Sequence, residues 1–142
     1  MRTANIWSVL IPGALIITAL LLTPAVRAGA PLVEESTVGL PVYPGLRQVS
    51  SSPGGDMGTG VEALPAVIGH TDDPMEQVVE FYAENLPGWN QGESFGNQVF
   101  WLGEPAEGFN LLDPASWARP SVAVMPPIRE GAPVRVQYIY RN

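Results

Sequence analysis

The chain's only histidine, His70, opens the stretch "GHTDDPMEQVVEFYAENLPGW", residues 69–89, beside Asp72, Asp73 and Glu76. One imidazole with three carboxylates raises metal binding and proton transfer as chemistries to weigh. A zinc site needs three or four spaced ligands, mostly imidazole or thiolate, and this chain has one imidazole and no cysteine. A calcium loop needs an acidic ladder around a central glycine, and that spacing is missing. His70 could serve as base to a serine, but Ser50, Ser51, Ser52, Ser94, Ser116 and Ser121 all fall outside a Gly-x-Ser-x-Gly elbow. The glycines of "SSSPGGDMGTG", residues 50–60, are followed by no Gly-Lys-Ser/Thr, so they read as a loop and not as a phosphate cradle. No catalytic, cofactor-binding or metal-ligating residue is assigned, and no cofactor is expected.

The same residues make better sense as punctuation of a helix. Asp73 before Pro74, with Glu76 three positions on, matches an N-cap, a proline at the first helical position and a capping box. Met75, Val78, Val79, Tyr82 and Leu86 recur at helical spacing, which predicts a helix from 74 to about 86 with one apolar face; Pro87 and Gly88 stop it. On the opposite face Glu76, Glu80 and Glu84 form an acidic row with no Lys or Arg on the helix to neutralise it. The row reads first as a solvated face, and otherwise as a contact for arginines elsewhere in the domain or for a basic partner. A second candidate contact is "EPAEGFNLLDPASWARP", residues 104–120, a long connection in which Asp113-Pro114 begins one helical turn. Phe109, Leu111, Leu112 and Trp117 there are too apolar to stand freely in water. They either close the edge of the core, or Phe109 and Trp117 line a groove for a ligand or a partner.

Around the helix the pattern is β-rich. "LPVYPGLRQV", residues 40–49, is extended and broken by a turn at Pro44-Gly45; "VEALPAVIGH", residues 61–70, leans to strand, with Pro65 confining it to an edge or breaking it. "NQVFWL", residues 97–102, is a strand after a turn near "NQGESFG". "SVAVM" and "VRVQYIYR" make a hairpin across "PPIREGAP". In the last strand Val134, Val136, Tyr138 and Tyr140 alternate with Arg135, Gln137, Ile139 and Arg141, so one sheet face is expected to be buried and the other solvated. The expected fold is α+β: one amphipathic helix packed on a small, mainly antiparallel sheet of about four or five strands, with a small β-barrel carrying one helix as the alternative. One hydrophobic core and no internal repeat are expected.

Residues 1–30, "MRTANIWSVLIPGALIITALLLTPAVRAGA", place Arg2 before an apolar run and end in small residues, the layout of a secretory signal or an uncleaved signal anchor. Residues 31–40 follow as a spacer, and 41–142 as a single domain. The expected location is extracytoplasmic, secreted or anchored to the cell membrane by this segment, with membrane contact only through it if it is uncleaved. All seven basic residues are Arg. Without Arg2 and Arg27, five arginines face fourteen carboxylates, leaving about −9, which argues against binding nucleic acid or anionic lipid.

Tyr43-Pro44-Gly45, then Thr71, Asp73, Pro74, Glu76, Val78, Phe81, Tyr82, Leu86, Gly88 and Trp89, then a β-rich tail, form an order of features that resembles small bacterial envelope proteins without an assigned activity. The resemblance implies an exported or membrane-tethered α+β domain and brings no catalytic residues with it. Taken together, the residues favour a non-enzymatic interaction or envelope module contacting an unknown protein partner. A small-ligand binder using the 104–120 loop comes next, and a carboxylate-based hydrolase last.

Overall fold

The computed structural model describes residues 29–104 and 106–142. Of the stretch read as a signal or anchor, residues 1–30, all but the last two lie outside the described residues, and no described helix is long and apolar enough to cross a membrane. Eight strands and two α-helices follow in the order α1 (Glu35–Val38), β1 (Arg47–Ser52), β2 (Gly55–Asp56), β3 (Glu62–Ala63), β4 (Ala66–Thr71), α2 (Met75–Asn85), β5 (Asn90–Ser94), β6 (Asn97–Trp101), β7 (Ser121–Met125) and β8 (Val134–Ile139). A 3-10 turn at Pro114–Ala118 precedes β7. Six strands form one open antiparallel sheet in the order β1-β4-β8-β7-β6-β5, and β2 and β3 make a separate hairpin. The fold is therefore α+β with an open sheet. It has one strand more than expected in that sheet and does not close into a barrel.

Strand alternation sets the two faces of the sheet. Val67, Val122, Val124, Val134, Val136 and Tyr138 point to the face covered by α2, where Val78, Tyr82 and Leu86 complete the main core. Residues 31–46 pack on the same face, with Val33, Val38, Tyr43 and Leu46 buried although the first of them fall within the stretch read as a spacer. Gly69 leaves room for them: a Cβ there would meet the Leu46 side chain at 2.5 Å and Val33 at 3.0 Å.

The opposite face differs from expectation. Val99, Trp101, Phe109 and Ala123 form a second buried cluster, because the 104–120 segment folds back across β6 and β7. Only part of that face is left uncovered, and it carries Arg47, His70 and Arg135. The run Val99-Phe100-Trp101 is buried throughout, serving both faces in turn. Three further local expectations are refined. Ser50–Ser52 belong to β1 and the following loop contains the β2–β3 hairpin; Pro65 breaks the 61–70 stretch into β3 and β4, as one of its two readings has it, and β4 lies inside the sheet, not at its edge; and the turn expected near residues 90–96 is confined to Phe95-Gly96, with Asn90–Ser94 forming the edge strand β5.

Helix α2 falls where the apolar spacing put it, yet it starts without the expected cap. Pro74 occupies the N-cap position in an extended conformation, and no side chain caps the helix. Asp73 turns its carboxylate instead to the Tyr43 hydroxyl at 2.6 Å. A phenol delivered from a distant turn has taken the acceptor that local sequence would give to the helix N–H groups.

Candidate functional site

Tyr43, Pro44, Gly45 and Leu46 form a type II turn: proline fills its second position, Gly45 takes φ +77° at the third, and the Leu46 N–H donates to the Tyr43 carbonyl at 3.2 Å. The turn presents Tyr43 to the start of α2. The Tyr43 hydroxyl donates to Asp73, and Gln77 Nε2 donates to the Tyr43 oxygen at 2.6 Å. Its ring meets Phe81 edge-on at 5.4 Å between centroids. Burial raises the Tyr43 phenol above its ordinary value, and the Asp73 carboxylate raises it further.

Behind this contact the Tyr82 and Tyr138 hydroxyls are hydrogen-bonded to each other in the core. The Tyr43 backbone N–H donates to Tyr82 at 3.1 Å and to Tyr138 at 3.4 Å. One residue of the turn is thereby fixed to the helix and to the sheet together. Burial pushes the Tyr82 phenol far up, and that of Tyr138 up to about 12. Both serve as neutral hydrogen-bonding groups, sealed from any substrate.

Outside the turn, a groove of about 430 Å³ runs along α2. Tyr43, Pro44 and Phe81 supply its apolar surface, and Asp73, Glu80 and Glu84 its carboxylates, with Gln77 between them. Glu76 is exposed on the same helix but does not line the groove, and all three helix glutamates are exposed. Among the described residues none of the three forms a salt bridge. Carboxylates at the rim of an aromatic surface suit a cationic head with an apolar stem, because ionised carboxylates only accept hydrogen bonds and ring faces attract cations. Its lining residues include no histidine, serine or cysteine, and its titratable groups are the three carboxylates and the Tyr43 phenol.

His70 lies elsewhere. It is half-buried on the sheet face away from α2 and shares a concavity of about 300 Å³ with Arg47, Asp72 and Asp73 beside the Pro44-Gly45 turn; Pro44 and Asp73 border both this concavity and the α2 groove. Among the described residues no group of three His, Cys, Asp or Glu side chains is arranged to hold a metal.

The 104–120 segment does not bring Phe109 and Trp117 to one groove. Phe109 is 7% exposed and packs against Trp101 at 5.3 Å in the second core. Trp117 is half-buried, its indole N–H donating to the Leu111 carbonyl at 3.1 Å, and its own carbonyl accepts from Leu64 at 2.8 Å. Phe109 borders a polar concavity with Glu93, Glu107 and Arg119, whereas Trp117 borders an apolar notch of about 180 Å³ with Met57 and Ile139. Sequence reasoning could not foresee this separation, because the sheet face that claims Phe109 is built from β6 and β7. It also missed Tyr43, Gln77 and Phe81 as groove residues; the Tyr-Pro-Gly turn was the one signal that pointed there.

Comparison with family models, curated proteins and solved structures finds no match for this chain.

Proposed function

We propose that this chain is an exported or membrane-tethered, non-enzymatic interaction domain whose groove along α2 receives a cationic segment of a protein partner. The observation that carries the reading is the convergence of Asp73, Glu80 and Glu84 around the aromatic surface of Tyr43 and Phe81. Net charge supports it as well, since an acidic surface draws cations in and speeds their encounter. A partner's Arg or Lys would lay its stem on the rings and its head among the carboxylates. A small ligand held by the 104–120 loop is the second reading: the concavity beside Phe109, about 370 Å³ and lined by Glu93, Glu107, Asp113 and Arg119, falls within the roughly 300–1,000 Å³ of ordinary ligand pockets, but it lacks their mostly apolar and aromatic lining, and the notch at Trp117 is only about 180 Å³.

Calorimetric titration with a short Arg-rich peptide tests the reading. Glu80→Gln with Glu84→Gln should weaken binding about tenfold, the equivalent of about 1.4 kcal/mol. The control pair Glu93→Gln with Glu107→Gln removes the same charge away from the groove and should leave binding nearly unchanged. Equal losses from the two pairs would mean that the peptide reads net charge only, and the groove reading would fall.

A further inference from the structure

Two rows of charge on this molecule lack partners within it, and they lie on opposite sides of the main sheet. Glu76, Glu80 and Glu84 line the outer side of α2, exposed and without a cation on that helix. The strand register sets Arg47 opposite His70 and His70 opposite Arg135, on the sheet face away from α2. Directly opposed side chains on neighbouring strands stand about 5 Å apart, so the two guanidinium groups flank the single imidazole. Three nitrogen-bearing side chains are thus gathered into one strip on a chain with very few cations.

Arg135 is the stronger sign. Its Nε is buried with no hydrogen-bond partner, and among the described residues no carboxylate forms a salt bridge with it. The buried Nε is itself out of reach of a partner; what Arg135 offers to the outside is the charge of a half-buried side chain that no carboxylate among the described residues neutralises. Arg47 donates one guanidinium hydrogen bond to the Ala30 carbonyl at 3.3 Å and is otherwise exposed. Asp72 and Asp73 border the concavity shared by Arg47 and His70, but neither forms a salt bridge with Arg47 or His70, and Asp73 is engaged by the Tyr43 hydroxyl. The strip remains open because the 104–120 segment covers the β6–β7 side of this face and Trp117 the Ala66–Ile139 end.

We propose that the acidic row of α2 docks on the Arg47–His70–Arg135 strip of a second copy of this chain. This names the partner of the α2 groove and rests on the reading that the groove is a docking site. The dimensions agree: glutamates four residues apart rise about 6 Å along a helix, and neighbouring strands are about 4.8 Å apart, a mismatch that flexible arginines absorb. Because each copy offers two different surfaces on opposite sides, the contact is heterologous and repeats head to tail. Exposed ion pairs contribute little individually, so the association is weak. At about 0.15 M salt the screening length is about 8 Å, which removes most long-range repulsion between acidic copies while leaving contact pairs in place.

Sedimentation velocity of the full chain in mild detergent, at about 0.15 M salt, tests the proposal with two variants. One is Glu80→Arg with Glu84→Arg, which has a basic helix and a basic strip; the other is Arg47→Glu with Arg135→Glu, which is acidic on both surfaces. The N-terminal segment is common to every sample, so any difference reports the charged faces. Wild type should sediment faster as concentration rises, each variant alone should lose that dependence, and an equal mixture of the two should regain it. Variants that sediment like wild type, or a mixture no heavier than its parts, overturn the proposal. If either variant fails to show a wild-type thermal transition, Arg135→Gln and Glu80→Gln with Glu84→Gln replace them; both should lose the concentration dependence, and its retention in either is decisive against self-docking. A protein that binds the Arg-rich peptide through Glu80 and Glu84 but does not self-associate keeps the groove reading and loses only this one.

Discussion

At the residue scale the decisive group is the tyrosine trio. Tyr43 was legible in the sequence as part of a turn, because proline followed by glycine specifies the type II geometry locally. The destination of its hydroxyl was not, since Asp73 lies 30 residues away and its acid looked committed to a helix cap. The Tyr82–Tyr138 pair gives the molecule an alkaline limit. In the unfolded chain a phenol ionises near pH 10, whereas burial holds both of these protonated in the fold, Tyr138 up to about 12. Between those values the folded state retains protons that the unfolded state has released. Their contribution is therefore complete below about pH 10 and declines as pH rises toward 12. A phenolate absorbance titration should show the Tyr82 and Tyr138 phenols ionising only as the circular dichroism of the fold is lost. Four tyrosines ionising together near pH 10, with the fold intact, would contradict the buried pair.

At the element scale α2 was the most legible piece, since its apolar positions repeat with the helix period and Pro87-Gly88 ends it. Strand β5 was the least legible. Its residues Asn90–Ser94 are polar and poor strand formers, and pairing with β6 places them in the sheet. The two strands meet at Phe95-Gly96, where Phe95 has φ +51° and is 69% exposed. Such a turn favours Asn or Gly at that position, and left-handed backbone costs an ordinary residue about 1–2 kcal/mol. Phe95→Asn is expected to stabilise the domain by about 1 kcal/mol, read from the urea midpoint; a lower midpoint would mean that the aromatic side chain holds a contact of its own. Gly69→Ala should act in the other direction. Its new methyl would press on Leu46 and Val33, and overpacking of this kind costs about 1–3 kcal/mol. The β4 backbone sits in the middle of the sheet, so relief must come from residues 31–46, and their amides should lose hydrogen-exchange protection first.

At the scale of the whole molecule, a single sheet is covered on two sides by different kinds of structure: α2 with the N-terminal residues on one, and an irregular segment on the other. Local stability should follow that layering. Amides at the centres of β4, β7 and β8, each paired on both sides, should exchange slowest, and those of β5 and the two-residue strands β2 and β3 fastest. Native-state hydrogen exchange checks the order, and protection of β5 equal to that of β8 would contradict it. The sequence by itself determined the α+β class, the position of the helix, the β7–β8 hairpin and the scarcity of cations, because each follows from local periodicity, turn chemistry or composition. Tertiary structure alone decided that each face of the sheet buries a cluster, that Phe109 and Trp117 part company, that Asp73 serves Tyr43 instead of the helix, and that Arg47, His70 and Arg135 share a strip. Each of these depends on which distant strands become neighbours, and strand register is fixed by burial across the whole sheet, not by the residues on either side in the chain.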